Sequence, residues 1–102
     1  MKRMMVQYKI KADRVRENEA YIRSVFEQLR NEQPQDLHYA SFKLADGLTF
    51  VHIVAQELAG EHSPLLALSA FKAFVSSIKD RCDEPPVSVE LTEIGSYRAF
   101  TD

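Results

Sequence analysis

A chain of 102 residues with 45% hydrophobic and 27% charged residues has the composition of a single globular domain, residues 1–102, able to bury a core without cross-links. A net charge of −2 supplies no electrostatic footprint for nucleic acid or an anionic membrane, and no 18-residue apolar run offers a membrane span. The lone Cys82 rules out an intramolecular disulfide and reads as an inert packed thiol; with no apolar leader segment ahead of the first strand, the expected location is cytoplasmic.

From Met4 to Lys11 the residues alternate, Met4, Val6, Tyr8 and Ile10 against Met5, Gln7, Lys9 and Lys11, the period of a half-buried strand. Asp13 is a plausible N-cap for a helix whose apolar stripe runs Val15, Ile22, Phe26, Leu29, widened by Tyr21 and Val25, and which ends before Pro34. Arg16, Glu17, Arg23, Glu27 and Arg30 form its solvated side.

Two β-rich runs, Leu37 to Leu44 and Leu48 to Glu57, flank Asp46-Gly47, a strong hairpin signal. With Asp46 and Gly47 as the loop, Phe42 opposes Val51, Ser41 opposes His52 and Tyr39 opposes Val54. One face of the hairpin is then wholly apolar (Ala40, Phe42, Leu44, Val51, Ile53). The other is mixed (Tyr39, Ser41, Lys43, Phe50, His52, Val54). Ser63-Pro64 opens a second helix with a stripe of Leu65, Leu68, Phe71, Val75 and Ile78, Phe74 beside it and a break near Ser69. Pro85-Pro86 ends the connection, and Val87, Val89 and Leu91 alternate with Ser88, Glu90 and Thr92 in a last strand. Tyr97 and Phe100 are too apolar for a free tail and are expected to dock, on this chain or on a partner.

The order βαββαβ predicts an α+β fold of the ferredoxin-like kind: one antiparallel sheet with both helices on one face. The wholly apolar hairpin face, with Val6, Tyr8, Ile10, Val87, Val89 and Leu91, is expected to take the helices. The opposite face, carrying Gln7, Lys9, Tyr39, Ser41, Phe50, His52, Val54, Ser88 and Glu90, is too apolar for open water and too polar for a dry core. Two copies packed through it would enclose a cavity with a few convergent polar groups, the usual form of a small-molecule site.

His52 is the best catalytic candidate. It interrupts an apolar strand, with Ser41 opposite and Tyr39 diagonal to it, and a neutral imidazole near pH 7 is able to take a phenolic proton. Gln7, Lys9, Tyr39, Ser41 and Phe50 are the candidate ligand-binding residues, Lys9 as a stabiliser of negative charge. The alternative for His52 is a hydrogen-bonded interface residue. His38 and His62 read as exposed, and Lys9 or Lys11 as a pair for Glu90. No metal-ligand spacing and no cofactor motif is present, so neither metal nor cofactor is expected.

The βαββαβ order, together with Phe50-Val51-His52-Ile53-Val54 and Ser69-Ala70-Phe71-Lys72-Ala73-Phe74, resembles the antibiotic biosynthesis monooxygenase family of the dimeric α+β barrel superfamily. The resemblance covers nearly the whole chain. It implies a homodimer whose sheets form a barrel, a cavity beside each sheet, and a small aromatic molecule, phenol or quinol, as substrate of a cofactor-independent monooxygenase. Haem-degrading relatives use a Trp; this chain has none. RNA-recognition domains share the element order and, at Gly47, Phe50 and Val51, part of a strand motif. Asp46 and Leu48 stand where a basic and a stacking residue are needed, so no nucleic-acid partner is expected. A non-catalytic metabolite-binding or dimerisation module of the same fold is the remaining reading.

Overall fold

The computed structural model describes residues 1–57 and 62–99. Strands β1 (Lys2–Ile10), β2 (Leu37–Lys43), β3 (Thr49–Gln56) and β4 (Cys82–Leu91) form one antiparallel sheet in the order β2-β3-β1-β4. Helices α1 (Val15–Glu32), α2 (Ser69–Ser76) and the single turn α3 (Ile78–Arg81) pack on one face of it. This is the ferredoxin-like α+β architecture that the sequence predicts.

Local chemistry explains most boundaries. A 3-10 turn over Ala12–Arg14 precedes α1, so Asp13 lies in that turn and gives no side-chain cap. At the other end Gln33 turns left-handed (φ 46°), its N–H returning to Leu29 O, and Pro34 forbids continuation. In the hairpin Gly47 takes φ 73°, while the Asp46 carboxylate accepts from Leu48 N, Thr49 N and Thr49 Oγ1. Three donors on one carboxylate hold its pKa down, to about 2, and lock the turn. The register matches expectation: Phe42 with Val51, Ser41 with His52, Tyr39 with Val54.

The second helix is more broken than its apolar spacing predicts. Ser63 Oγ accepts from Leu65 N and caps a 3-10 turn over Pro64–Ala67. Leu68 then adopts extended angles (φ −83°, ψ 124°) before α2, and Ser77 interrupts again before α3. Leu65, Leu68, Phe74 and Ile78 are buried, but the breaks rotate Val75 out of the stripe and expose it. Strand β4 begins at Cys82, ahead of Pro85-Pro86 rather than after them. It is an edge strand with register shifts against Gln7, Lys9 and Ile10, where a missing N–H is tolerated.

The division of faces departs from expectation. Register pairs Val6 with His52, Tyr8 with Phe50 and Met4 with Val54, so these residues share one face, and Tyr39 and Ser41 share it through β2. That face takes the helices, and Tyr8, Ile10, Phe50, Val25, Phe74 and Ile78 make the main core. Val51, Ile53, Phe42, Val87 and Val89 lie on the opposite face, which none of the described helices covers; Val87 is 62% exposed. The mixed face is accepted inside because its large rings fill volume while their polar atoms pair with one another. Tyr97 is 83% exposed and docks on no core element, and Phe100 lies outside the described residues.

Candidate functional site

Between the sheet and α2 lies a cavity of about 240 Å³. Val54, Leu65, Phe71, Phe74, Val75 and Ile78 give it apolar walls, and Tyr8, Tyr39, His52 and Ser88 bring the polar atoms. The strands place those groups by alternation, since residues at register-paired positions project to the same face. The Phe-rich α2 forms the wall facing the sheet: Phe74 lies 5.4 Å from the His52 ring and Phe71 6.5 Å from the Tyr39 ring, centroid to centroid.

The polar groups form a chain. His52 Nε2 lies 2.6 Å from Tyr8 Oη, and its Nδ1 lies 2.7 Å from Tyr39 Oη and 2.8 Å from Ser41 Oγ. Asn18 Nδ2 donates to Tyr8 Oη at 3.0 Å. Arg81 Nε donates to Asn18 Oδ1 at 3.3 Å, while its other nitrogens donate to Ser77 Oγ and Phe74 O. Asn18 and Arg81 are both 0% exposed. The Arg81 guanidinium also sits 4.4 Å over the Tyr21 ring.

The donors fix the proton positions. A guanidinium only donates, so Asn18 must turn its carbonyl to Arg81 and its amide to Tyr8. Tyr8 Oη accepts from Asn18, and among its described partners only His52 Nε2 can take the buried Tyr8 proton, so Tyr8 donates to it. His52 is therefore the neutral tautomer with its proton on Nδ1, aimed at Tyr39 and Ser41. Burial pushes the His52 pKa down to about 4, so the ring is neutral at pH 7. Burial likewise raises both Tyr8 and Tyr39 far above the ordinary phenol range, Tyr39 with a further push from Tyr8.

Of the residues singled out in the sequence, the fold brings His52, Tyr39, Ser41 and Phe50 to the helix side of the sheet. Ser41 does not line the cavity and sits in a surface depression with Ile22 and Phe42, and Phe50 is packed into the core against Tyr8. Gln7 and Lys9 are not part of this group. Paired with Val51 and Thr49, they point to the open face and line a solvent-exposed trough of about 500 Å³ with Met5, Val87 and Val89, where Lys9 meets Glu84 at 4.0 Å in place of Glu90. His52, read as a free base, has both ring nitrogens occupied, and its environment makes it a weak one. The sequence reading missed Asn18 and Arg81 altogether. Arg81 follows Lys79-Asp80 and looks like part of a charged surface, and the one available hint was Asn18 itself, which lies four residues before Ile22 on the apolar side of α1. Among the described residues, no three His, Cys, Asp or Glu side chains gather as a metal site, and no helix is long and apolar enough to cross a membrane.

No protein-family model matches the chain, and none of the curated proteins matches it in sequence. Solved structures match its fold. A candidate antibiotic biosynthesis monooxygenase of Nitrosomonas europaea superposes with a TM-score of 0.74 at 18% identity, over 91% of this chain and 89% of that one. A structure described as an antibiotic biosynthesis monooxygenase gives 0.71 at 21% identity, over 93% and 100% of the two chains. A variant of SnoaB, a cofactor-independent oxygenase from Streptomyces nogalater, gives 0.67 at 9% identity, over 93% and 94%. Similarity of backbone at such identities concerns architecture: the chain has the fold of the antibiotic biosynthesis monooxygenase structures.

Proposed function

We propose that this protein binds a small aromatic phenol or quinol in the cavity between its sheet and α2 and oxygenates it without a cofactor. The observation that carries the reading is the cavity itself: apolar and ring-lined on most sides, with the Tyr39, His52 and Tyr8 polar atoms converging at one wall. Such a site fits a flat apolar body with one oxygen to orient. For a phenol with a free para position the balance is one phenol and one O2 giving one quinone and one water. The bound phenolate passes an electron to O2, the two radicals join at the ring carbon, and the peroxide loses water. The protein's part is to hold the ring, to exclude water with Phe71 and Phe74, and to meet the phenolic oxygen with the Tyr39 hydroxyl.

The functional unit in this proposal is a homodimer. Val87, Val89, Leu44 and Phe42 are exposed on the sheet face that carries no helix, and a second copy packed there removes them from water and closes the trough beside Gln7 and Lys9. Oxygen uptake with a series of monocyclic to tricyclic phenols tests the catalytic part. Uptake that saturates with the phenol and falls at least tenfold in Phe71→Ala and Tyr39→Phe supports it; a phenol that binds without uptake leaves the second reading, a non-catalytic binding module. That second reading is favoured by one feature, the occupation of both His52 nitrogens by protein hydroxyls.

A further inference from the structure

Arg81 is a fully buried cation whose three hydrogen-bond acceptors among the described residues are all neutral: Asn18 Oδ1, Ser77 Oγ and Phe74 O. A buried charge is normally matched by an opposite one, because its desolvation is otherwise uncompensated. The carboxylate that feels Arg81 is Glu17, which is held on the surface by Arg14 through two 2.9 Å hydrogen bonds. None of the described residues lining the cavity is acidic. No described carboxylate bonds to the guanidinium, and its Nε reaches Asn18 in the interior.

What lies inward is the directed chain. Arg81 donates to Asn18, Asn18 to Tyr8, Tyr8 to His52, and the His52 Nδ1 proton points to Tyr39 and Ser41. Of these last two, Tyr39 lines the cavity. All arrows run the same way, from a cation to a hydroxyl at the cavity wall. Each link polarises the next, which makes the terminal proton a stronger donor. The groups around the imidazole are uncharged on every packed element, Tyr8 from β1, Tyr39 and Ser41 from β2 and Phe74 from α2, so among the described residues no carboxylate touches the ring.

Resting on the cavity reading above, we infer that the Arg81–Asn18–Tyr8–His52 relay makes the Tyr39 hydroxyl an anion-holding donor, so that the cavity takes its phenol in the ionised form. The ligand's proton passes to bulk solvent on binding, and the guanidinium supplies the balancing charge. Asn18, Tyr8, His52 and Arg81 are positioning residues in this scheme; they act on the ligand through Tyr39. A neutral histidine used as a donor, with its protonated form suppressed, is an established way to stabilise developing negative oxygen.

The test uses 4-nitrophenol, whose phenolate absorbs visible light while the phenol does not, titrated with the intact protein across the probe's own ionisation range. Binding is read separately from ligand NMR line broadening. Bound to the unaltered protein, the probe is expected to ionise at least one pH unit lower than in solution, a tenfold higher phenolate-to-phenol ratio at a given pH. Tyr8→Phe keeps the ring and removes the relay oxygen, and is expected to lose most of that shift while still broadening the probe's lines; a folded Arg81→Met does the same. A bound probe whose ionisation is unmoved or raised overturns the inference and leaves the cavity reading standing, as does a shift that survives Tyr8→Phe. Absence of line broadening removes the cavity reading and this inference with it.

Discussion

The two faces of the sheet invert the usual assignment of residue types. The helix-covered face buries Asn18, His52, Tyr8 and a whole guanidinium with Tyr39 half-buried beside them, whereas the uncovered face shows Val87, Val89, Phe42 and Leu44. The contrast teaches that burial here follows hydrogen-bond completeness and ring volume as much as hydropathy. A polar side chain is acceptable inside once its last donor and acceptor are satisfied, and no buried side-chain nitrogen or oxygen among the described residues lacks a partner.

The sharpest way to break the covered face is at its central link. Asn18→Leu leaves both Arg81 Nε and Tyr8 Oη without their partner in a dry interior. Removing one partner of a buried charged hydrogen bond costs several times what the bond contributes, so a loss of about 3–4 kcal/mol is expected, read as the midpoint of urea unfolding. An equally drastic substitution on the open side, Val87→Asp, is expected to change the unfolding of the isolated monomer by less than about 0.5 kcal/mol. Its effect appears instead in sedimentation equilibrium, where a dimer formed by the unaltered chain dissociates at concentrations at least tenfold higher in the variant; a chain already monomeric at tens of micromolar defeats the homodimer proposal.

Acid separates the faces by a second route. His52 is held neutral down to about pH 4, whereas the unfolded ring takes a proton near 6.5. Between those values the unfolded state binds more protons, so stability rises with pH across that window and is lost as pH falls through it, by about 3 kcal/mol in total. The carboxylates with lowered pKa, Glu17, Glu19 and Asp46, add their losses only below about pH 4.5, which leaves the range from 6.5 to 4.5 to His52. His52→Gln is expected to flatten the slope there, measured as the unfolding midpoint at half-unit steps of pH.

Sequence periodicity carried the architecture because it records backbone geometry. Alternation in β1, Asp46-Gly47 and the stripe of α1 each depend on near neighbours, and the element order and hairpin register followed from them. The faces were assigned by counting apolar residues, and that rule fails where polar residues satisfy one another across the fold. Ser41, Tyr39 and His52 were legible as a cluster because the hairpin turn alone fixes their pairing. Asn18 and Arg81 were not, since the bond between them spans 63 residues and depends on how the interrupted α2–α3 segment docks on α1. Gln7 and Lys9 went to the wrong group for a related reason. The phase of β1 against the hairpin is a long-range fact, and Val6 meets His52 where Gln7 was expected to share its face.

The smallest predicted effect is also the most discriminating within the covered face, because it compares the two sides of one imidazole. Nε2 of His52 has Tyr8 as its partner, and Tyr8 in turn satisfies Asn18; Nδ1 has two hydroxyls, Tyr39 and Ser41, for one proton. Tyr8→Phe therefore strands two buried groups and is expected to lower stability by about 2 kcal/mol. Tyr39→Phe strands none, since Ser41 remains 2.8 Å from Nδ1, and its cost is expected to stay below about 1 kcal/mol. Adding Ser41→Ala to Tyr39→Phe removes the reserve, so the double variant should lose more than the sum of the singles by about 1 kcal/mol. Simple additivity in that cycle would mean that the Nδ1 proton has another acceptor and that the chain from Arg81 does not end at the cavity wall.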